Sequence, residues 1–183
     1  RPEIRKSLRE KLGLKDKIVI GNVGRYCYQK NQSFLIKVFA KAREYNKKLF
    51  LMLIGGGELQ NELKKQIVEM GIKDDTCCLN WQENIFDYFQ VMDVFCLPSL
   101  FEGLAITSVE AQAAGLKCFL SDTISMEAKI TNLGVFLPLE EDIWTEQLAH
   151  SVSAERRERK DAELKKAGYD IRTAVKKLEQ MYE

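Results

Sequence analysis

Short β-branched or apolar runs alternate along this chain with longer amphipathic stretches, and that alternation constrains the fold more than any other feature. It is the βαβ signature of a parallel sheet covered by helices. The runs Ile18–Val23, Leu49–Ile54, Thr76–Leu79, Val94–Leu97, Cys118–Ser121 and Val135–Leu137 are mainly apolar and of buried-strand length. Between them, Phe34, Leu35, Val38, Phe39 and Ala42 recur at helical spacing, as do Leu59, Leu63 and Ile67 before Gly71. Asn31 is the expected cap of the first of these helices. The fold class is therefore α/β.

The two ends depart from this rhythm. Ile4, Leu8 and Leu12, closed by Gly13, predict a short helix over 1–13, ahead of an α/β core over 17–139. A helical tail is expected over 140–183, where Ile171, Val175 and Leu178 follow the charged run A-E-R-R-E-R-K-D-A-E. No repeat, low-complexity segment or Pro/Gly-rich linker divides the 183 residues, so they read as one domain. With 28 basic against 27 acidic side chains, the chain lacks the basic face that nucleic-acid binding needs. No apolar run approaches the roughly 18 residues of a spanning helix. The opening R-P-E-I-R-K has no leader-type apolar segment behind it, and the expectation is a soluble, cytoplasmic protein without a transmembrane segment. Five cysteines, Cys27, Cys77, Cys78, Cys96 and Cys118, form no C-x-x-C pair and read as reduced, mostly core thiols.

In an open parallel sheet a ligand binds outside the carboxyl ends of the strands, so the loops that follow the strands hold the candidate chemistry. After the first strand, G-N-V-G-R-Y-C-Y-Q-K-N places Gly24, Arg25 and Lys30 ahead of a helix. Two cations beside a helix N-terminus suit a diphosphate, although Gly24 can equally serve a tight turn with both cations solvated. The G-x-G-x-x-G fingerprint of a dinucleotide enzyme is absent. After the second strand, G-G-G-E-L (Gly55 to Leu59) either lets a ligand approach Gly56 and Glu58 or is a plain turn with Glu58 near a helix N-terminus. No Lys-Ser/Thr follows, so it is not a P-loop.

The stretch P-S-L-F-E-G-L-A-I-T-S-V-E-A-Q-A-A-G, Pro98 to Gly115, is the most informative. Glu102 lies in a loop, and a carboxylate accepts hydrogen bonds from vicinal hydroxyls, while the amides of Gly103, Leu104, Ala105 and Ile106 suit phosphate or sugar oxygens. Glu110 has two readings, since Thr107-Ser108-Val109-Glu110 is also a T-x-x-E capping box. Trp81, Ile85, Phe86, Tyr88 and Phe89 read as a buried helix face, although the loop Trp81 to Asn84 follows a strand and is placed to flank a base. Asp74-Asp75 reads as a turn, and His150 as a surface or packing histidine. No D-x-D pair and no metal site is indicated.

Taken in order, N-V-G-R with K-N before a helix, I-G-G-G-E-L, the E-x₇-E stretch and S-D-T-I-S-M-E resemble the C-terminal, donor-binding domain of retaining GT-B glycosyltransferases of the group 1 type. The match runs from about the first strand to Val135. The resemblance implies a Rossmann-like parallel sheet with helices on both faces, one half of a GT-B fold. It implies Arg25 and Lys30 on the donor diphosphate, Glu110 on the ribose hydroxyls and Glu102 against the transferred sugar. It implies hexosyl transfer from a nucleotide-sugar donor to a glycan or lipid-linked acceptor, with no metal or other cofactor, in the cytoplasm or peripheral at the inner membrane face.

GT-B enzymes need a second, acceptor-binding domain with the active site between the two, and these residues supply only one. His150 does not replace the histidine that the family often carries on that other domain. Asn31 stands where many relatives have glycine after the lysine. Two further readings remain beside the transferase: a non-catalytic sugar-nucleotide-binding or regulatory module, and, less favoured by the motif pattern, a sugar-nucleotide epimerase of the same architecture.

Overall fold

Burial on both faces dictates the strands. The computed structural model describes residues 2–153, 160–169 and 180. Its strands are β1 (Ile18–Val23), β2 (Leu49–Ile54), β3 (Thr76–Leu79), β4 (Val94–Leu97), β5 (Lys117–Ser121) and β6 (Gly134–Leu137), as the apolar runs predict to within a residue. The helices are α1 (Pro2–Lys11), α2 (Gln32–Tyr45), α3 (Gln60–Glu69), α4 (Ile85–Val91), α5 (Ile106–Ala113), α6 (Glu141–Ala149) and α7 (Asp161–Lys166). The strands form one parallel sheet in the order β3-β2-β1-β4-β5-β6, a Rossmann-like arrangement. The predicted closing helix around Ile171, Val175 and Leu178 lies outside the described residues. No helix among the described residues is long and apolar enough to cross a membrane.

Alternation along each strand builds two cores. Ile18, Ile20, Leu49, Leu51, Leu53, Cys96 and Phe119 meet α2, α3 and α6, with the fully buried Trp144 edge-on to Phe34. On the other face Val19, Met52, Ile54, Phe95, Leu97, Cys118 and Leu120 meet Phe89 of α4 and Ala111 of α5, flanked by Leu8 of α1. Phe89 thus behaves as the sequence predicts, whereas Trp81 and Phe86 are 62% and 56% exposed. Cys96 and Cys118 are buried, and Cys27, Cys77 and Cys78 only partly so. Asp75 does more than turn the chain: it is buried and paired with Lys17 and Arg43.

One buried carboxylate fastens α1 to this sheet. Asp93 accepts the Val19 amide at 2.8 Å and pairs with Arg5 at 2.5 Å and Arg9 at 3.0 Å. Both guanidinium groups also donate to the Val91 carbonyl at the end of α4. Burial alone would push the Asp93 carboxyl up, but the Val19 N–H and the two arginines outweigh it and hold the group below its ordinary value.

Asp93→Asn keeps the volume and removes the charge between two guanidinium groups, so it should cost about 3 kcal/mol at neutral pH, read by urea denaturation. A carboxyl held low in the native state stabilises fully above its unfolded pKa and loses that contribution as the pH falls through the native one. The variant should therefore show a shallower loss of stability in acid than the parent.

Candidate functional site

Strand order reverses between β1 and β4, so the chain leaves β1 toward β2 and leaves β4 toward β5. The loops after these two strands flank a crevice at that point. Backbone and side chains tie them together: Leu100 N donates to Gln29 O at 2.8 Å, Gln29 Nε2 to Phe101 O at 2.8 Å, and Asn31 Nδ2 to Pro98 O at 3.1 Å. Asn31 does sit ahead of α2, in the left-handed region (φ 54°), but its side chain makes no capping bond there. Its amide is spent on the neighbouring loop instead, which corrects the cap expectation.

Lys30 Nζ meets Glu102 Oε1 at 2.5 Å across this crevice, with side chains 17% and 9% exposed. Ser99 Oγ donates to the same Oε1 at 2.9 Å. Arg25 is placed differently, on the rim, with its side chain 68% exposed and 3.1 Å from Glu58. A hydrogen bond from the Glu58 amide and the charge of Arg25 hold the Glu58 carboxyl below its ordinary value. The structure thus brings Lys30 to Glu102 and Arg25 to Glu58, one buried pair and one exposed pair.

The loop after β2 packs under the loop after β1. Gly24 N donates to Ile54 O, Tyr26 N to Gly56 O and Leu59 N to Tyr26 O, at 3.0, 3.0 and 3.1 Å. A side chain at Gly55 (φ 148°) would put Cβ 2.0 Å from Gly24 O, and one at Gly57 would meet Tyr26 O at 2.4 Å. Two of the three glycines are therefore demanded by loop-to-loop approach, and not by a ligand. Gly56 alone has ordinary space, beside the Trp81 indole nitrogen. Trp81 is thus exposed next to the one glycine of the triplet that a ligand can approach, where the sequence left a base-flanking role open.

The capping box is not formed. α5 begins at Ile106 after Ala105, Thr107 lies inside the helix, and its hydroxyl is buried without a partner among the described residues. The Glu110 carboxylate has no hydrogen bond or ion pair among the described residues, and desolvation raises its pKa. Of the predicted backbone contacts, Ile106 N is taken by Leu104 O, and the Ala105 side chain packs into the core. No hydrogen bond occupies the amides of Gly103, Leu104, Ala105 or Thr107 among the described residues, and Gly103 faces open space. His150 lies elsewhere, exposed at the end of α6 with Nδ1 2.8 Å from Glu146 O.

Sequence reasoning missed Ser99 and the pair Asn22 and Gln32. Asn22 Nδ2 donates to Cys96 O at 2.9 Å, and Gln32 Nε2 to Arg25 O at 2.9 Å, both side chains fully buried beneath the loop after β1. The signal was a polar residue inside an otherwise apolar strand, at Asn22.

Gly55→Ala forces a left-handed backbone and a backbone collision, and should cost at least about 2 kcal/mol in thermal or urea denaturation. Gly56→Ala should stay within about 1 kcal/mol of the parent in the same measurement. Equal costs would remove the distinction between the packed and the open glycine.

Comparison with known proteins supplies the remaining finding. A family model described as glycosyl transferases group 1 matches residues 4–169. The chain is 33% identical over 174 residues to the putative glycosyltransferase EpsF of Bacillus subtilis (strain 168), covering 91% of this chain and 45% of that relative. It is 38% identical over 131 residues to the UDP-Gal:alpha-D-GlcNAc-diphosphoundecaprenol alpha-1,3-galactosyltransferase of Escherichia coli, covering 66% of this chain and 33% of that one. Among solved structures, Anabaena Alr3699/HepE in complex with UDP and glucose superposes with a TM-score of 0.73 at 21% identity, over 81% of this chain and 42% of that chain. The chain thus spans less than half the length of these proteins.

Proposed function

The chain belongs to the group 1 glycosyl transferases, and from that premise we propose that it forms the nucleotide-sugar donor half of a GT-B hexosyltransferase. The enzyme passes a sugar from a nucleoside-diphosphate donor, with retention, to a glycan or lipid-linked acceptor. The observation that carries this reading is the Lys30–Glu102 pair at the strand-order reversal, flanked by Arg25 and unoccupied amides at the start of α5. The Escherichia coli relative is named for a UDP-galactose donor and a diphosphoundecaprenol acceptor, and the Anabaena structure holds UDP and glucose. Both are compatible with this donor set.

In this reading the diphosphate takes Lys30 and Arg25 from their carboxylate partners. The two cations and the amides of Gly103, Leu104, Ala105 and Thr107 then stabilise the leaving nucleoside diphosphate without a bound metal. Gly24, Gly56 and Glu58 border the diphosphate and the base, with Trp81 as the stacking surface. Glu110, desolvated and without a partner among the described residues, accepts the ribose hydroxyls, and Glu102 faces the sugar. A second, acceptor-binding domain closes the other wall of the cleft.

Titration of the folded chain with UDP and GDP at millimolar levels tests the reading; no chemical-shift change with either would sink it. Glu110→Gln should weaken binding about tenfold through the lost charged acceptor, while Thr107→Val, which removes an unpartnered hydroxyl, leaves stability within about 0.5 kcal/mol of the parent. Because the Glu110 carboxyl is held above its ordinary value, binding should weaken as the pH falls through that raised pKa, and Glu110→Gln should abolish the dependence. Undiminished affinity in Glu110→Gln would refute the ribose role.

Transfer also needs the donor carbon and an acceptor hydroxyl held together with water excluded. Residues 1–183 offer one wall, so they should bind nucleotide yet transfer no sugar by themselves. In an enzyme completed with an acceptor domain, Arg25→Ala and Lys30→Ala should each slow turnover by about 2 to 4 kcal/mol of barrier, in line with losing an oxyanion donor. Steady turnover by the chain alone would overturn the half-site reading.

A further inference from the structure

The Glu102 carboxylate is held by one oxygen only. Oε1 receives both Lys30 Nζ at 2.5 Å and Ser99 Oγ at 2.9 Å, while Oε2 has no partner among the described residues. A terminal carboxylate torsion is broad and turns easily, so two donors on a single oxygen restrict it where one would not. The two donors differ in kind. Lys30 is a flexible cation on the crevice wall, and an incoming diphosphate attracts it. Ser99 is neutral, wholly buried and rooted: its carbonyl accepts Ser121 Oγ and, at 2.9 Å, Thr123 Oγ1. Those two hydroxyls lie 3.0 Å apart at the end of β5. When Lys30 turns toward phosphate, Ser99 is the donor that stays.

We propose that Ser99 is a positioning residue which fixes Glu102 Oε1, so that Oε2 remains the acceptor for a hydroxyl of the donor's sugar. The inference rests on the donor-site reading above and extends it: Ser99 sets how strongly the chain prefers a nucleoside-diphosphate sugar to the bare nucleoside diphosphate. The hydroxyl of the sugar donates to Oε2, and no bond of Ser99 is made or broken on the ligand. A residue that only supported the fold would affect both ligands alike.

Calorimetric titration of the chain with UDP, UDP-glucose and UDP-galactose tests this in the parent, Ser99→Ala and Ser99→Cys. The expected result is a UDP affinity within twofold of the parent and a five- to tenfold fall in the preference for the better UDP-hexose in Ser99→Ala. Ser99→Cys, of similar volume with a weaker donor, should fall between. Equal losses for UDP and UDP-hexose, or an unchanged preference in Ser99→Ala, would overturn the proposal. If the parent binds neither class, the donor reading fails. Ser99 is then judged on ligand-free crystal structures: Lys30→Met should leave the Glu102 carboxylate in place, and Lys30→Met/Ser99→Ala should release it. A carboxylate unmoved in the double variant would overturn the positioning role as well.

Discussion

A parallel sheet whose chain departs in opposite directions from two adjacent strands leaves the loops after them splayed, and that opening lies between β1 and β4. The crevice exists only because the loops are also held close at its base. The Gln29, Asn31 and Leu100 bonds draw the two loops together, while Asn22 and Gln32 support the first from below. Lys30 and Glu102 then face each other across the crevice. The geometry of the candidate chemistry is a consequence of strand order, and the side chains only occupy positions that the order creates.

The two carboxylate partners of the cations are not equivalent. Arg25–Glu58 lies in solvent, where such a pair contributes about 0–1 kcal/mol and salt screens it. A diphosphate with two charges and several acceptor oxygens outcompetes it readily. Lys30–Glu102 is largely withdrawn from water, so separating it leaves a desolvated carboxylate. Ser99, already bonded to that carboxylate, lowers the cost of the exchange. In the proposed donor site, an exposed rim cation suits capture of the donor, and a buried one suits its final placement.

The strands were legible because burial on both faces leaves a continuous apolar run such as Leu49–Ile54, and the helices because one buried stripe leaves the helical spacing of Phe34, Leu35, Val38, Phe39 and Ala42. The candidate site was legible as a set of loops, since Arg25, Lys30, Glu102 and Glu110 sit at fixed offsets from strand ends. Which group pairs with which was not. Asn31 read as a cap because local chemistry favours it, yet its amide found the Pro98 carbonyl on another loop. Thr107 and Glu110 matched a capping box, but α5 starts at Ile106, before the threonine could cap it. The triple glycine looked like room for a ligand, and two of its members turned out to make room for Gly24 and Tyr26. For Asn31 and for the glycines a contact distant in sequence outranked the local rule.

Two groups at this crevice are held in states that do nothing for the stability of the ligand-free chain. Glu110 is desolvated with no partner among the described residues, and the Thr107 hydroxyl is buried with none among them either. Each costs free energy in the empty protein. They sit on the helix that leads from the carboxyl edge of the sheet, whereas the strongest polar anchor, Asp93 between Arg5 and Arg9, sits where β4 begins. The two ends of the sheet therefore carry opposite duties. One end fastens α1 to the sheet through Asp93. The other is left with an unsatisfied carboxylate and open amides, which a ligand bearing hydroxyls and phosphate oxygens would complete.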